Sequence, residues 1–177
     1  DVAAFRQHYT NMIEFAIGSW IPAGVPPTFS NVLKYFGASA INVGNAEITG
    51  AEISITGQGK IGNVLLTVLG GYTYINPVNL NGHDTAGTDS GNILKYRYQH
   101  LAKMDMQADY KKWSFGFSTR YNSFMKNIDR AFQDPVLSII FPGATGPTIL
   151  PGLADYRKEH NKGDIIFDMR ISHELGK

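Results

Sequence analysis

The sequence of 177 residues contains no cysteine and few charged residues. Without cysteine, these residues offer no disulfide, no thiolate metal site and no cysteine nucleophile. Charged residues make up 18% of the chain, which is below the roughly 25% of a typical soluble domain. The 16 basic and 15 acidic residues leave a formal net charge of +1. This balance argues against a nucleic-acid-binding protein, which needs concentrated positive charge.

Long apolar runs are absent as well. The densest apolar stretch, residues 64–69, is interrupted at once by two glycines, whereas a transmembrane helix needs about 18 apolar residues. A membrane β-barrel is still compatible with the sequence, because its strands only alternate apolar and polar residues. The sequence also begins without an initiator methionine or a signal peptide, so we expect a mature fragment or part of a longer protein.

What the sequence does contain is alternation with a period of two. In residues 94–112 the even positions are mostly apolar or aromatic, and the odd positions are mostly charged or polar. The same pattern recurs in residues 5–15, 52–56, 64–75, 113–122 and 164–175. It predicts about six strands, most of them long, with one apolar and one polar face each. The phase shifts by one residue at Gly50, where we expect a β-bulge.

The connections between these segments alternate in length. Long connections are expected at residues 18–36, 76–92 and 123–162, and tight turns at residues 57–62 and 111–112. Connections longer than about 12–15 residues are uncommon in soluble domains, whereas outer-membrane barrels combine short periplasmic turns with long extracellular loops. The sequence therefore predicts an all-β chain of long antiparallel strands in a transmembrane β-barrel. Because the smallest such barrels have about eight strands, we expect residues 1–177 to be a partial barrel domain, an arc of a larger wall.

Four stretches resemble the C-terminal part of the barrel of TonB-dependent outer-membrane receptors, in the form found in Bacteroidota. They are residues 1–13, 42–52, 94–100 and 163–172, with Tyr98 at a position where the family more often has proline. The resemblance implies a protein of the Gram-negative outer membrane that imports a scarce nutrient, such as a ferric siderophore, cobalamin or a glycan. It also implies the partners: outer-membrane lipid, the TonB energising complex acting through a plug domain, a surface lipoprotein and the small-molecule nutrient.

Ten polar or charged side chains are candidates for functional contacts. On the polar strand faces, the candidates for lining the substrate path or contacting the plug are Lys95, Arg97, Asp105, Arg120, Asp168 and Arg170. In the loops, the candidates for extracellular contacts are Asp84, Asp89, Tyr156 and Arg157. The alternative roles are ion pairs between neighbouring strands and an ordinary solvated surface.

The sequence predicts no catalytic residue, no metal site and no cofactor. His8, His100 and His173 fall on different segments, and none has a second ligand at metal-site spacing. The acidic segment 83–91 lacks the ligand spacing of an EF-hand loop, and no catalytic triad, carboxylate pair or phosphate-binding loop stands out. Two other functions remain open: a passive outer-membrane pore or structural barrel, and a soluble lipocalin-like barrel whose apolar face encloses a ligand.

Overall fold

The chain forms an antiparallel sheet whose six strands follow one another in chain order. The computed structural model describes residues 1–81 and 92–175. The strands are β1 (Val2–Ser19), β2 (Phe36–Ile61), β3 (Val64–Asn79), β4 (His100–Tyr110), β5 (Trp113–Asn122) and β6 (Asp164–His173). Within the described residues β1 and β6 do not pair with each other, so the sheet is an unclosed arc of a barrel. The predicted all-β class and number of strands are confirmed.

Short and long connections alternate at the two ends of the sheet, as predicted. The long connections carry two short helices, α1 (Phe29–Lys34) and α2 (Leu153–Glu159). The first tight turn is shorter than predicted, because β2 and β3 stay paired up to Ile61 and Val64. Only Gly62 and residue 63 are left to turn the chain, and Gly62 has a φ of 60°. None of the helices in residues 1–81 and 92–175 has the length and hydropathy to cross a membrane.

The register places apolar and polar residues on opposite faces of the sheet. Residues directly opposite one another on paired strands share a face. One such row runs Gly57, Val68, Met106, Phe117 and Met169, and the next runs Gln58, Thr67, Gln107, Gly116 and Arg170. Continued through neighbouring rows, this gives one face of mostly aliphatic and aromatic side chains, here called the apolar face. The opposite side is called the polar face. The predicted alternation is confirmed in β3, β5, β6 and the paired part of β4.

The predicted bulge at Gly50 is wrong. Gly50 pairs in unbroken register with Phe5 and Ile75. The irregularity lies further along the β1–β2 pair, where the register shifts on both sides of Met12. There Asn11 of β1 and Gly44 of β2 have φ angles of 53° and 79°.

At Gly50 the apolar residues of β2 change from one side of the sheet to the other, because the part of the protein that surrounds the strand changes there. Between Gly50 and the first tight turn, the apolar side chains of β2 lie on the exposed apolar face. Beyond Gly50, towards the long connections, they lie on the other side of the sheet, where Ala46 is fully buried. Pro77 of β3 is fully buried as well. Apolar side chains therefore face outwards over one part of the sheet and inwards at the end that carries the long connections.

A small hydrophobic core lies among the long connections. Its buried members are Ala16, Val32, Ala46, Leu94, Ile128, Ala131 and Val136. Most of them come from the first and last long connections, and Ala16 and Ala46 come from β1 and β2. The core therefore holds the connections against the sheet, while the apolar face stays uncovered.

Strand β4 begins six residues later than predicted, at His100 instead of Leu94. Tyr96 has a φ of 56°, which is incompatible with an extended strand. The entry to the strand is fixed by Ser123, whose Oγ accepts hydrogen bonds from the backbone N–H groups of Gln99 and His100 at 3.0 Å each. The alternating pattern in the sequence thus starts before the N-terminal end of the strand itself.

Candidate functional site

The exposed apolar face forms a band of membrane height. On β2 it extends over ten residue steps, from Ala51 to Ile61. At about 3.3 Å per residue and a tilt of about 40°, ten steps rise about 25 Å, the height of the lipid-facing band of outer-membrane barrels. On β3, β4 and β5, which have a neighbouring strand on each side, Tyr72, Met104 and Phe115 are 41%, 36% and 47% exposed. A continuous apolar surface of this extent indicates contact with an apolar environment.

Aromatic rings lie at both ends of this band. Tyr110 and Trp113 pair beside the second tight turn, as predicted from the sequence. At the other end the Tyr72 hydroxyl lies 2.7 Å from Nδ1 of His100, and the Tyr74 ring packs against the same imidazole. Rings with a polar atom favour the interface between lipid and water, so the two ends of the band match the two interfaces of a membrane.

The polar face carries its charges in layers. From the end with the long connections downwards, successive rows hold Glu52 and Asp164, then Lys103 and Arg120, then Asp105 and Asp168, then Arg170. Rows on one face are two residues apart, which is about 7 Å along a strand. In these four rows, layers of opposite sign are therefore neighbours along the strands, and charges of like sign share a row.

Asp105 is held by partners on two other strands. Arg170 of β6 donates to its Oδ1 from Nη2 at 3.1 Å, and Ser118 of β5 donates to its Oδ2. Arg170 reaches β4 by lying across Gly116, where a Cβ atom would approach the Arg170 side chain to 2.3 Å. Asp105, Arg120, Asp168 and Arg170, four of the six strand candidates, therefore share the polar face. Their contact with a substrate or a plug stays a prediction.

Lys95 and Arg97 do not lie on the polar face of β4, so their predicted placement is wrong. Both precede the strand. Lys95 forms an ion pair with Asp129 of the last long connection, with 2.8 Å between Nζ and Oδ1 and both side chains 3% exposed. Arg97 pairs with Glu14 of β1 at 3.5 Å. These residues connect loops to the end of the sheet.

Asp129 is the centre of that connection, and sequence reasoning missed it. Its Oδ2 accepts hydrogen bonds from the backbone N–H of Ile17 in β1 at 3.1 Å and from the Tyr96 hydroxyl at 2.7 Å. Burial, with this hydrogen bond to Asp129, raises the pKa of Tyr96. Asp129 thus joins three segments that are far apart in the sequence, and no local pattern around it indicates that role.

The loop candidates have different surroundings. Asp84 and Asp89 lie outside the described residues, as does the whole acidic segment 83–91. Tyr156 on α2 is 54% exposed. The neighbouring Arg157 donates to the carbonyl oxygen of Met125 at 2.7 Å and lies over the Phe124 ring, and burial lowers the pKa of Arg157. Arg157 therefore fastens α2 to the rest of its connection.

The part of the chain that the structure describes contains no group of three or more metal-ligating side chains. His8, His100 and His173 lie on β1, β4 and β6. The imidazoles of His100 and His173 instead pack against tyrosine and tryptophan rings of the apolar face.

Comparison with known proteins identifies a family. Residues 1–154 match the family model described as TonB dependent receptor-like, beta-barrel. The matched range covers strands β1 to β5 and most of the last long connection. No curated protein and no solved structure matches the chain.

Proposed function

The chain belongs to the TonB-dependent receptor-like β-barrel family, and we propose that it forms one arc of the wall of an outer-membrane transporter that imports a scarce nutrient. This family consists of transport receptors and is not an enzyme family. The observation that carries the proposal is the band of about 25 Å with an apolar outer face, a polar inner face and aromatic rings at both ends. In this proposal residues 1–177 are a partial barrel domain, and further strands complete the wall.

The proposed orientation follows from the two ends of the sheet. The apolar face contacts outer-membrane lipid, the two tight turns lie on the periplasmic side and the three long connections face the outside of a Gram-negative cell. The arrangement of the connections supports this orientation, because short periplasmic turns and long external loops are the rule in such barrels.

The polar face lines the barrel interior in this proposal. Asp105, Arg120, Asp168 and Arg170 would then face the substrate path or a plug domain. Family membership supports the TonB energising complex and a small-molecule nutrient as partners, and a surface lipoprotein is a further proposed partner. Asp84, Asp89, Tyr156 and Arg157 remain candidates for external contacts. A ferric siderophore, cobalamin and a glycan are the candidate nutrients.

A soluble lipocalin-like barrel is less well supported than a transporter. In such a barrel the apolar face encloses the ligand and the polar face meets water. The chain instead has aromatic rings at both ends of its apolar face, which fits two interfaces with lipid headgroups. A passive pore shares every feature of the band, so energy coupling is the property that separates it from a transporter.

The test uses the full-length protein in its own cell. We expect it to fractionate with the outer membrane, and we expect deletion of its gene to reduce uptake of one labelled probe among a ferric siderophore, cyanocobalamin and an oligosaccharide. Because import by this family draws energy from the inner membrane, a protonophore should abolish the same uptake. Uptake that survives the protonophore would identify a passive pore, and recovery of the protein in the aqueous fraction would refute the proposal.

A further inference from the structure

Two cations lie directly opposite each other on the polar face. Lys103 of β4 and Arg120 of β5 are partners in the register, so their side chains leave neighbouring strands side by side. Like charges in directly opposed positions repel each other and destabilise a sheet. Their flanking partners in the same row, Gly71 of β3 and Ile166 of β6, carry no charge.

Neither cation is neutralised by a described carboxylate within ion-pair distance. Asp105, one row below, is occupied by Arg170, and Asp168 in the same lower row forms no ion pair with Arg120 among residues 1–81 and 92–175. Arg170 shows that a long basic side chain on this face can cross a glycine to reach an acid. Lys103 also extends over a glycine, since its Cε lies 3.4 Å from the position of a Cβ on Gly71, but it reaches no acid there.

The surface beside the pair is hollow. Ala3, Ser54 and Gly71 occupy the neighbouring positions with small side chains or none, and they leave a hollow of about 430 Å³. Lys103 and Arg120 line this hollow, as do the acidic residues Asp1 and Glu52. The polar face therefore combines two adjacent positive charges with room for a group of several atoms.

We propose that Lys103 and Arg120 form a binding site for an anionic oxygen group, a carboxylate or a phosphate, inside the barrel. An oxyanion between the two cations replaces their repulsion by two charge-assisted contacts, and the planar guanidinium of Arg120 can hold it through two parallel hydrogen bonds. The inference rests on the proposal that the polar face lines the barrel interior. The oxyanion comes either from a ligand that passes through the barrel or from an acidic side chain of the receptor itself.

The experiment measures how fast Lys103 reacts with a water-soluble acetylating reagent in the purified full-length receptor, read by mass spectrometry. Citrate and pyrophosphate serve as the carboxylate and phosphate probes. We expect either probe to slow acetylation of Lys103 several-fold and Arg120→Gln to abolish that protection. Lys60 is the matched internal control, because it lies on the same face three rows from Lys103, beside the first tight turn. Its reactivity should not change.

A second arm identifies the source of the anion. If an acidic side chain of the receptor already occupies the site, Lys103 is protected before any probe is added, and a carbodiimide joins it to that carboxylate in a crosslink that peptide sequencing identifies. Protection by added citrate or pyrophosphate without such a crosslink identifies a free ligand. Either result supports the site.

Two results would overturn the site. One is acetylation of Lys103 at the rate of Lys60 with and without the probes, and without a crosslink. The other is a crosslink from Lys103 to Asp1, Glu52, Asp105 or Asp168, since the wall would then neutralise its own charge. A cysteine in place of Ser54, in the same row, separates this failure from failure of the proposed function. If it reacts with a water-soluble maleimide, the polar face still lines an aqueous interior, and if it does not, that assignment has failed.

Discussion

Arg170 of β6 forms an ion pair with Asp105 of β4, although a whole strand lies between them. Gly116 makes this possible, because it leaves space on β5 in which the arginine side chain lies flat. Pairs between neighbouring strands are the usual unit of sheet stabilisation. Here the contact extends over three strands and joins two of the charged layers of the polar face.

Substitution of Gly116 by alanine should break this contact. A Cβ atom there would lie 2.3 Å from Nε and 2.4 Å from Cγ of Arg170, so the guanidinium must move away from Asp105. Both side chains are largely exposed, and we therefore expect a loss of only about 0.5–1 kcal/mol. A double-mutant cycle of Asp105→Asn and Arg170→Gln, measured by denaturant unfolding, tests this. It should show coupling between Asp105 and Arg170 when residue 116 is glycine and no coupling when residue 116 is alanine.

The control for this cycle is Gly57→Ala, because the Cβ atom it introduces meets nothing within 4 Å. In that background the coupling between Asp105 and Arg170 should be unchanged. Equal coupling with glycine and alanine at position 116 would show that the ion pair does not depend on the open space.

A lysine at Phe117 should destabilise the protein much more than a lysine at its neighbour Ser118. Phe117 lies near the middle of the apolar band, where a lysine on the lipid face costs about 2–4 kcal/mol. Ser118 lies on the polar face beside Asp105, so a lysine there should change the free energy of unfolding by less than about 1 kcal/mol. Unfolding of both variants in lipid bilayers is the measurement, and equal losses would contradict the assignment of the two faces.

Lys95→Met should loosen the last long connection without unfolding the strands. The substitution removes the cation from a buried ion pair and leaves the Asp129 carboxylate buried, which costs about 3–5 kcal/mol. Hydrogen exchange should accelerate at the amides of Phe132 and Val136, which donate to the carbonyl oxygens of Asp129 and Pro147, and stay slow in β4 and β5. Lys158→Met is the control, because its ion pair with Asp155 is almost fully exposed. Unchanged exchange at Phe132 would show that the ion pair does not hold the connection.

The same connection should weaken at high pH. Burial and the bond to Asp129 raise the pKa of Tyr96 above its ordinary value of about 10, so the folded chain favours the neutral phenol. The stability from this shift is fully present below about pH 10 and is lost as the pH rises through the higher folded value. An absorbance titration of tyrosinate should show a late component that Tyr96→Phe removes. An identical titration curve for the variant would contradict this.

The sequence predicted the faces of the strands correctly because a strand's own backbone decides them. Residues two apart share a face wherever the chain is extended. Asp105 and Arg120 could therefore be assigned to the polar face as soon as a regular strand had begun before them. Lys95 was misplaced because its position depends on Asp129, which is 34 residues further along the chain. An alternating pattern cannot show where a distant side chain ends the strand.

The prediction of a β-bulge at Gly50 was wrong for a different reason. The apolar residues do change sides there, and a bulge is one way to produce such a change. The structure keeps the register, and the surroundings change instead: Ile53 faces outwards on the exposed band, whereas Ala46 faces inwards under the loops. A phase shift in the sequence does not distinguish these two causes.

The most direct test of the account is a cysteine scan along β5, Trp113–Asn122, in the outer membrane of intact cells. The 177 residues contain no cysteine of their own, so each introduced thiol reports one position. We predict that cysteines replacing Ser114, Ser118 and Arg120 react with a water-soluble maleimide. Those replacing Phe115, Phe117 and Thr119 should react only after detergent removes the lipid. Uniform labelling, or labelling of the second set in place of the first, would contradict a strand with lipid on one face and an aqueous interior on the other.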